Sequence, residues 1–184
     1  YDVFVSKLDS SGGYLWAKNL GGTNWDYAYS VAVDSSGNVY TTGNFSDTVD
    51  FDPGSGTANL TSYGGGDVFV SKLDSSGGYL WAKNLGGTKS DYGQSVAVDS
   101  SGNVYTTGYF QGTADFDPGA GTTNLTSNGS GDWGLWPKDV FVSKLDSSGG
   151  YLWAKNFGGT SDDWSQSVAV DSSGNVYTTG YFYG

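Results

Sequence analysis

The sequence predicts an all-β protein built as an array of repeated, stacked sheets. One long stretch that begins at Asp67 occurs almost letter for letter once before and once after. Strong helix formers are nearly absent, with no Glu, Arg or Met, while β-branched, aromatic and turn residues dominate. Self-similarity of this kind marks units that stack because each is too small to bury its own apolar faces.

The repeat has three copies, which begin at Asp2, Asp67 and Asp139. Two blocks are identical in all three copies, DVFVSKLDSSGGYLWAKN and SVAVDSSGNVYTTG. The third copy ends before the D-F-D-P-G segment that both earlier copies contain, which is typical of a piece of a longer repetitive chain or of a chain whose ends meet a neighbour's. The expected repeat units, the second with a seven-residue insertion at 132–138, are 1–66, 67–138 and 139–184.

Each unit is expected to form two consecutive β-hairpins. In the first unit, strand-like runs at 3–8 and 14–20 flank the turn sequence DSSGG, and runs at 30–33 and 38–43 flank DSSG. In such turns Asp accepts hydrogen bonds from the following backbone amides, and Gly takes a positive φ. The spacing therefore predicts four short strands per unit.

Neither face of these strands is wholly polar. Alternation along the first strand places Val3 and Val5 on one face, and Phe4 and Leu8 on the other. A sheet with apolar groups on both faces must lie between other layers. Because β-propeller blades are built from two hairpins with both faces covered, we predict a β-propeller-like array of three four-stranded antiparallel blades.

The same residues carry a family resemblance. The pattern D-x-F-V-x-K-L-D, a small turn, Y-L-W, L-G-G-T and x-V-A-V-D-x-S-G-N-V-Y-x-T-G resembles the SBBP family of bacterial β-propeller repeats. The resemblance covers nearly the whole chain and implies four-stranded blades. It also implies a place in large secreted or cell-surface proteins, so an extracellular or cell-surface location is expected. The family has no defined catalytic residues, and none is carried over.

Three units are too few to close a propeller ring. Propellers close with four to eight blades, and an open array exposes an apolar blade face at each end. We therefore expect the chain to associate with copies of itself or with further repeats of a longer chain. A heterologous contact of this kind gives a ring if its rotation closes and a filament if it does not.

Charge and composition argue against several other classes of partner. With 19 acidic residues and 8 Lys, the formal net charge is -11 at pH 7. Such a chain is repelled by nucleic acid and by anionic membrane surfaces. No apolar run approaches the roughly 18 residues that a membrane span needs, so insertion into a membrane is not expected.

Enzymatic chemistry is not expected either. The chain has no His and no Cys, so it lacks an ordinary pair of nucleophile and base. The adjacent acidic pair Asp162 and Asp163 lies in a loop without the apolar surroundings that raise the pKa of a glycosidase acid. We predict that the protein is not an enzyme.

Two acidic segments suggest a calcium site as one interpretation. TVDFDPGSG and TADFDPGAG place two Asp at i and i+2 beside a Pro-Gly turn, and carboxylate oxygens suit Ca²⁺. Each segment lacks the third acidic ligand of a D-x-D-x-D-G loop, and Pro-Gly alone explains a turn. A structural edge hairpin is the stronger interpretation, and no other cofactor is expected. The candidate calcium ligands are Asp50, Asp52, Asp115 and Asp117.

The loop after G-G-T differs between the copies and is rich in aromatic residues. Such side chains stack on sugars or anchor a protein partner. Tyr27, Tyr92 and Trp164 occupy one equivalent position, which favours a packing role for these three. The candidate ligand-binding residues are Trp25, Tyr29 and Trp164.

The insertion DWGLWPK at 132–138 breaks the symmetry of the repeat. Two Trp and one Leu in a Gly-rich loop are expected to cap a blade end or to contact another subunit. We predict that Trp133, Leu135 and Trp136 form an assembly contact.

Together these features predict an extracellular, non-enzymatic structural or adhesive repeat module that self-associates. One alternative is a carbohydrate-binding, lectin-like propeller that calcium assists. Another is a designed or consensus scaffold, because the identity of long blocks suits a designer as well as a recent duplication. Four Asn begin N-x-[ST] sequons, which matter only where the producing organism glycosylates its surface proteins: Asn44, Asn59, Asn124 and Asn128.

Overall fold

The computed structural model describes residues 1–128 and 137–183. Every regular element in these two ranges is a β-strand, and the strand pairs are antiparallel, so the predicted all-β class is confirmed. In chain order the strands are β1 (Val3–Leu8), β2 (Tyr14–Gly22), β3 (Tyr27–Val33), β4 (Val39–Phe45), β5 (Thr48–Asp50), β6 (Asn59–Thr61), β7 (Asp67–Leu73), β8 (Tyr79–Gly87), β9 (Tyr92–Val98), β10 (Val104–Gln111), β11 (Thr113–Asp115), β12 (Asn124–Thr126), β13 (Lys138–Leu145), β14 (Tyr151–Phe157), β15 (Asp163–Val170) and β16 (Val176–Phe182).

Two complete four-stranded blades form the middle of the array. The first has the strand order β3-β4-β7-β8, and the second has the order β9-β10-β13-β14. The two hairpins of each blade come from different repeat units, because β4 pairs with β7 and β10 pairs with β13 across a repeat boundary. Blades and repeat units are therefore offset by two strands.

A third blade is present as two separate halves. β1 and β2 form the second half of a blade, and β15 and β16 form the first half of one. β3, β9 and β15 are each the first strand of a blade or half-blade, and they lie next to one another in that order. The two halves of the third blade therefore lie at opposite ends of this row of blades. The predicted all-β, propeller-like repeat array is confirmed, and it consists of two complete four-stranded blades and two half-blades in the described residues.

Two short hairpins extend the array at one edge. β5 and β6 pair with each other and attach to β2, and β11 and β12 attach to β8 in the same way. The D-F-D-P-G sequence begins at the last residue of β5 and of β11, and its Phe51 and Phe116 are fully buried. Each of these segments is therefore an edge hairpin with an apolar plug.

The D-S-S-G turns are closed by a repeated Asp contact. Asp34 Oδ1 accepts hydrogen bonds from the backbone N–H groups of Ser36 and Asn38, both at 2.9 Å. Its Oδ2 accepts from Asn38 Nδ2 at 2.8 Å and from the Tyr40 hydroxyl at 3.0 Å. Gly37 takes a φ of 80°, which favours glycine. The turn chemistry that the sequence predicts is present.

The core contains aromatic rings from both the blades and the edge hairpins. Phe51 packs against Phe45 and Phe69, with ring centroids 5.5 and 5.1 Å apart. Gly43 lies opposite Phe69 in the β4–β7 pair. A Cβ atom added to Gly43 would lie 1.8 Å from the Tyr27 carbonyl oxygen, so only glycine fits here. The complete blade therefore buries rings on strands from two repeat units.

Candidate functional site

Each half-blade leaves one strand edge unpaired. Within the described ranges, β1 and β16 have no partner on the edges where β7 pairs with β4 and β13 pairs with β10. β1 has the sequence VFVSKL, which is also present in β7 and β13. β16 begins with VYTTG, as do β4 and β10. The two unpaired edges are therefore copies of edges that pair with each other inside the chain.

Burial differs sharply between equivalent residues of complete and split blades. Phe4 on β1 is 74% exposed, whereas Phe69 and Phe141 at the same position are 0% exposed. Phe182 on β16 is 82% exposed, whereas its counterparts Phe45 and Phe110 are 0% exposed.

The same contrast holds for a leucine and a tyrosine. Leu8 on β1 and Tyr177 on β16 are exposed at the split blade, while their counterparts in the complete blades are buried. Each half-blade therefore presents apolar side chains that the fold buries wherever a blade is whole.

Polar contacts between consecutive repeats follow a fixed pattern. Trp16 Nε1 donates to the Ser75 carbonyl at 3.2 Å, and Lys7 Nζ donates to the same oxygen at 3.0 Å. Trp81 Nε1 repeats this contact with the Ser147 carbonyl at 3.2 Å. By sequence, the next pair in the series is Trp153 at one end of the array and Ser10 at the other.

A cleft lies on each half-blade. The cleft beside β16 has a volume of about 420 Å³, and Phe157, Gly180 and Phe182 are among the residues that line it. The cleft beside β1 has a volume of about 460 Å³, and Phe4 and Tyr29 are among its lining residues. The two clefts flank the two edges that the complete blades keep paired.

Lysine side chains also lie over tyrosine rings where strands of consecutive repeats pair. Lys72 Nζ lies 5.0 Å from the centroid of the Tyr40 ring, and Lys144 Nζ lies 4.8 Å from that of Tyr105. Both pairs bridge strands of different repeats, and such cation–π contacts stabilise partly desolvated sites. Lys7 and Tyr177 are the corresponding residues on the two unpaired edges.

Buried carboxylates lie near the G-G-T segments. Asp91 accepts hydrogen bonds from the backbone N–H groups of Gly87 at 2.8 Å and Gln111 at 3.2 Å. Burial raises the pKa of Asp91 to about 8, and the nearby Asp67 adds to this rise. Burial also raises the pKa of Asp67 to about 6. The Oδ1 atoms of Asp67 and Asp139 have no hydrogen-bond partner in the described part of the chain.

Sequence reasoning missed these carboxylates. The available signal was their position, because one Asp precedes V-F-V and another follows G-G-T in every copy. In the second copy these two residues are Asp67 and Asp91, and both ionisable side chains are fully buried. They couple folding to protonation, since an ionised carboxylate is costly to bury without a cation.

The calcium candidates are engaged in turn hydrogen bonds. Asp50 Oδ1 accepts from the backbone N–H groups of Asp52 at 3.0 Å and Ala58 at 2.8 Å. Asp115 repeats this arrangement with the amides of Asp117 and Thr123. Across residues 1–128 and 137–183, no group of three or more acidic side chains is placed to hold a metal ion. The geometry supports the edge-hairpin interpretation, and calcium binding stays a prediction.

Aromatic side chains form two groups of ring contacts near the starts of β3, β9 and β15, together called the aromatic rim. Tyr27 stacks on Tyr29 with ring centroids 6.4 Å apart, and Trp164 stacks on Tyr181 at 4.9 Å. Of the candidate ligand-binding residues, Trp25 and Tyr29 are exposed and Trp164 is half-buried. The rim consists of Tyr1, Trp25, Tyr27, Tyr29, Tyr92, Tyr109, Trp164 and Tyr181.

One lysine is built into this rim. Lys138 Nζ lies 4.9 Å from the Trp164 ring centroid and 5.7 Å from that of Tyr109. The same atom forms an ion pair with Asp162 Oδ2 at 3.2 Å. The equivalent position in the first copy is Tyr1, which stacks on Tyr27 at 5.9 Å. Copies therefore differ in rim chemistry while the blades stay the same.

The remaining candidates vary in position. Trp133, Leu135 and Trp136 lie outside the described residues, so their predicted assembly contact stays a prediction. Of the four sequon residues, Asn44 is buried in β4, and the other three are exposed: Asn59, Asn124 and Asn128. Asn128 Nδ2 donates to Asp139 Oδ2 at 2.7 Å.

The described ranges contain no helix with the length and apolar character needed to cross a bilayer.

Comparison with known proteins gives two curated relatives that match over most of this chain. An uncharacterized WD repeat-containing protein, L264, of Acanthamoeba polyphaga mimivirus is 26% identical over 193 residues, which covers 96% of this chain and 14% of that protein. The regulatory protein FlaEY of Caulobacter vibrioides is 30% identical over 148 residues, which covers 78% of this chain and 16% of that protein. The chain thus spans about a sixth of the length of these relatives.

A family profile matches the same repeat that the sequence and the sheets define. The profile described as "SBBP: Beta-propeller repeat" matches residues 15–44, 80–113 and 152–181, which together make up about half of the chain. Each match begins in the last strand of one blade and runs through the first two strands of the next blade, as the offset between repeat units and blades requires. The chain belongs to the SBBP family of β-propeller repeats.

Proposed function

We propose that this chain is a non-enzymatic β-propeller repeat module that self-associates by completing its split blade with a second copy. The observation that carries the proposal is the identity between the unpaired edges and the paired ones. β16 carries the VYTTG of β4 and β10, and β1 carries the VFVSKL of β7 and β13. Two chains that meet head to tail form a blade with the same strand sequences as those already inside each chain.

The internal pairs define the register of this joint. In the complete blades Gly43 lies opposite Phe69, and Gly108 lies opposite Phe141. The same register places Gly180 of one copy opposite Phe4 of the next. It also brings Lys7 of the next copy against the Tyr177 ring, as Lys72 lies against Tyr40. Phe4, Phe182, Leu8 and Tyr177 all lose water in the joint, and each is worth about 1.5–3 kcal/mol if fully buried.

A closed ring is the simplest particle with this contact. Two copies, each with two complete blades and two half-blades, supply six blades, which lies within the range in which propellers close. Both half-blades of each chain are then used, and neither the β1 edge nor the β16 edge is left unpaired. A filament uses the same contact with a rotation that does not close.

Light scattering on the purified chain tests this function. We expect the mass of two chains, and a filament would show a mass that increases with concentration. Phe4→Asp and Phe182→Asp place a charge in the joint and should give the mass of one chain. Leu15→Asp is the matched control, because Leu15 and its counterpart Leu80 are exposed in half-blade and complete blade alike. A single-chain mass for the unmutated protein at high concentration would contradict the proposal.

We place the module outside the cell or on its surface, as a structural or adhesive element. Support comes from the net charge of -11, which keeps a repetitive β-protein soluble while its particles assemble. An antibody against the repeat should label intact cells of the producing organism or their medium. Labelling only after lysis would count against this location.

Carbohydrate binding is a second candidate, favoured by the aromatic rim. Trp25 is exposed beside Tyr1, with ring centroids 6.2 Å apart, and such exposed rings stack on sugar faces. A glycan array should then show binding that Trp25→Ala abolishes and Leu15→Asp leaves intact. Loss of binding and a lower melting temperature in EDTA would support a calcium-assisted site, and silence on the array would remove the candidate.

A further inference from the structure

The outer edge of each blade is a strand edge with little cover. β2, β8 and β14 are the last strands of their blades, and they share the sequence YLWAKN. The edge hairpins pair with β2 and β8 only at the two glycines that end these strands. In the described residues, no strand pairs with the YLWAKN part of the outer edge. A free edge presents backbone groups to which another chain can add a strand.

This outer edge also carries an exposed apolar side chain in every copy. Leu15, Leu80 and Leu152 occupy the same position and are 50%, 46% and 45% exposed. Leu80 and Leu152 belong to the two complete blades, so their exposure does not come from the split blade. An unpaired strand with exposed apolar residues favours edge-to-edge pairing between chains. The outer edges therefore need protection if chains are to associate only at the split blade.

A tyrosine hydroxyl bonds to one backbone amide of each outer edge. In all three copies, the hydroxyl of the Tyr in Y-L-W accepts a hydrogen bond from the backbone N–H group three residues later. The pairs are Tyr14 with Ala17 at 3.0 Å, Tyr79 with Ala82 at 3.1 Å, and Tyr151 with Ala154 at 3.1 Å. The contact is the same in the half-blade and in the complete blades.

The amide in this contact is one that points outward from the blade. Ala82 lies opposite Ser71 in the β7–β8 pair. Opposite residues of an antiparallel pair either exchange both hydrogen bonds or direct both N–H groups away from each other. Since the Ala82 N–H group donates to the Tyr79 hydroxyl, it belongs to the second kind. It is therefore a group that an added strand would use.

Local structure holds the hydroxyl in this position. The register of the β7–β8 pair shifts next to Tyr79 and leaves Leu80 without an opposite residue. Such an irregularity bends a strand and redirects a side chain. The Tyr79 and Tyr151 rings also pack against the hydrophobic core of the blades. The ring is thus fixed by packing, while its hydroxyl lies over the edge.

We propose that this tyrosine is an edge guard, which prevents the outer edge of a blade from pairing with another chain. Along β8 the protection is then spread over the whole strand. Before the strand, the Asp74 carboxylate accepts from the amides of Ser76 and Gly78. At its end the edge hairpin covers the glycines, and the Tyr79 hydroxyl occupies the Ala82 amide between these two places. Chains can then associate only at edges other than these three.

Amide hydrogen exchange tests the contact itself. Tyr79→Phe removes one oxygen atom and keeps the ring, so the core packing is retained. We expect the Ala82 N–H group to exchange about fivefold faster, which is the value of one neutral hydrogen bond. An unchanged exchange rate would show that the hydroxyl does not cover this amide and would overturn the proposal.

Loss of the hydroxyl in all three copies tests the guard. The triple variant Tyr14→Phe, Tyr79→Phe, Tyr151→Phe is made in the Phe4→Asp chain, so that the joint at the split blade does not contribute. By light scattering, we expect a mass that increases with concentration beyond that of one chain. A single-chain mass at every concentration would refute the guard, even with a lower melting temperature, because the hydroxyls would then only stabilise their own strands.

The matched control removes a bonded tyrosine hydroxyl from each copy at another place. Tyr40, Tyr105 and Tyr177 donate to the Asp of a D-S-S-G turn at 3.0, 3.0 and 3.1 Å. Changing these three to Phe in the same chain also removes one hydrogen bond per copy, but leaves the outer edges guarded. This control should keep the mass of one chain. Equal growth of both triple variants would attribute association to lost stability and contradict the guard.

A charge on the same edge should replace the lost hydroxyl. Lysine on an edge strand opposes pairing between chains. Leu15→Lys, Leu80→Lys and Leu152→Lys, added to the unguarded triple variant, should therefore restore the mass of one chain. Large particles that persist in the presence of these lysines would place the new contact away from the outer edges and refute the assignment.

The edge guard and the proposed self-association can fail separately. A two-chain mass for the unmutated protein, together with a single-chain mass for the unguarded variant in the Phe4→Asp chain, would refute the guard and leave the proposed function standing. A single-chain mass for the unmutated protein, together with growth of the unguarded variant, would do the reverse.

Discussion

The hexapeptide VFVSKL lies in two different environments in this protein, and the comparison shows what sets burial in a repeat. In β13 of a complete blade its phenylalanine, Phe141, is 0% exposed, whereas in β1 of the split blade Phe4 is 74% exposed. Sequence and hairpin are the same in both places. The difference lies in the neighbouring strand, which is β10 in one case and absent in the other.

The space around equivalent glycines also differs between the interior and the end of the array. A Cβ atom added to Gly77 would lie 2.7 Å from Lys18 Cε, and one added to Gly149 would lie 2.6 Å from Lys83 Cε. One added to Gly12 would meet nothing within 4 Å. The ends of the array thus leave open space beside residues whose counterparts are closely packed inside it.

The largest predicted difference in the free energy of unfolding is between alanine variants of Phe69 and Phe4. Phe69→Ala opens a cavity in a complete blade and should lower the free energy of unfolding by about 3–5 kcal/mol. Phe4→Ala removes an exposed ring and should change it by about 0.5 kcal/mol or less in dilute single chains. Urea unfolding of both variants measures the difference. Equal losses in dilute solution would show that Phe4 is buried in the chain on its own.

The pH dependence of stability should depend on Asp67, which lies two residues before Phe69 in the repeat. Burial raises the pKa of Asp67 from 3.8 to about 6, so the folded state holds this proton more tightly than the unfolded state does. The stability from this group is fully present below pH 3.8 and is lost as the pH rises through about 6. Burial raises the pKa of Asp91 to about 8, which extends the loss to higher pH.

Thermal unfolding between pH 4 and pH 9 measures this slope. Asp67→Asn should flatten the part of the profile below about pH 6, since the amide keeps the shape of the side chain without its charge. A melting temperature that increases from pH 5 to pH 8 would contradict the assigned burial of Asp67 and Asp91.

The smallest difference in stability between a complete blade and a half-blade should come from substitutions in the turns. Asp99 in a complete blade and Asp171 in the half-blade accept the same hydrogen bonds, including one from a Tyr hydroxyl at 3.0 and 3.1 Å. These contacts are local to one hairpin and do not need the neighbouring strand. Asp99→Ala and Asp171→Ala should therefore lower the melting temperature by similar amounts. A clearly smaller cost at Asp171 would mean that the half-blade frays in solution.

The sequence predicted the local parts of this fold and not the long-range ones. Turn residues such as Asp34 and Gly37 act within a few positions, so the hairpins could be predicted from one copy. The pairing of β4 with β7 joins two repeats, and nothing in a threefold repeat marks where one blade ends and the next begins. For the same reason, the split blade and its two edges appear only in the structure.

Prediction of site residues was limited in a similar way. Trp25 and Tyr29 could be selected because they vary between copies, and both lie on the aromatic rim. Asp67 and Asp91 escaped notice, because an acidic residue in a Gly-rich loop ordinarily serves solubility or a turn.

The most direct test of the split blade is a disulfide placed by the internal register. Thr41 pairs with Ser71 and Thr106 pairs with Ser143, so Thr178 of one copy should pair with Ser6 of the next. The chain has no cysteine of its own, and opposed strand residues lie within the span of a disulfide.

Under mild oxidation, the double variant Ser6→Cys, Thr178→Cys should form covalent pairs of chains, and the off-register control Ser6→Cys, Tyr177→Cys should not. Covalent pairing of both variants to the same extent, or of neither at concentrations where the particle contains two chains, would contradict the account.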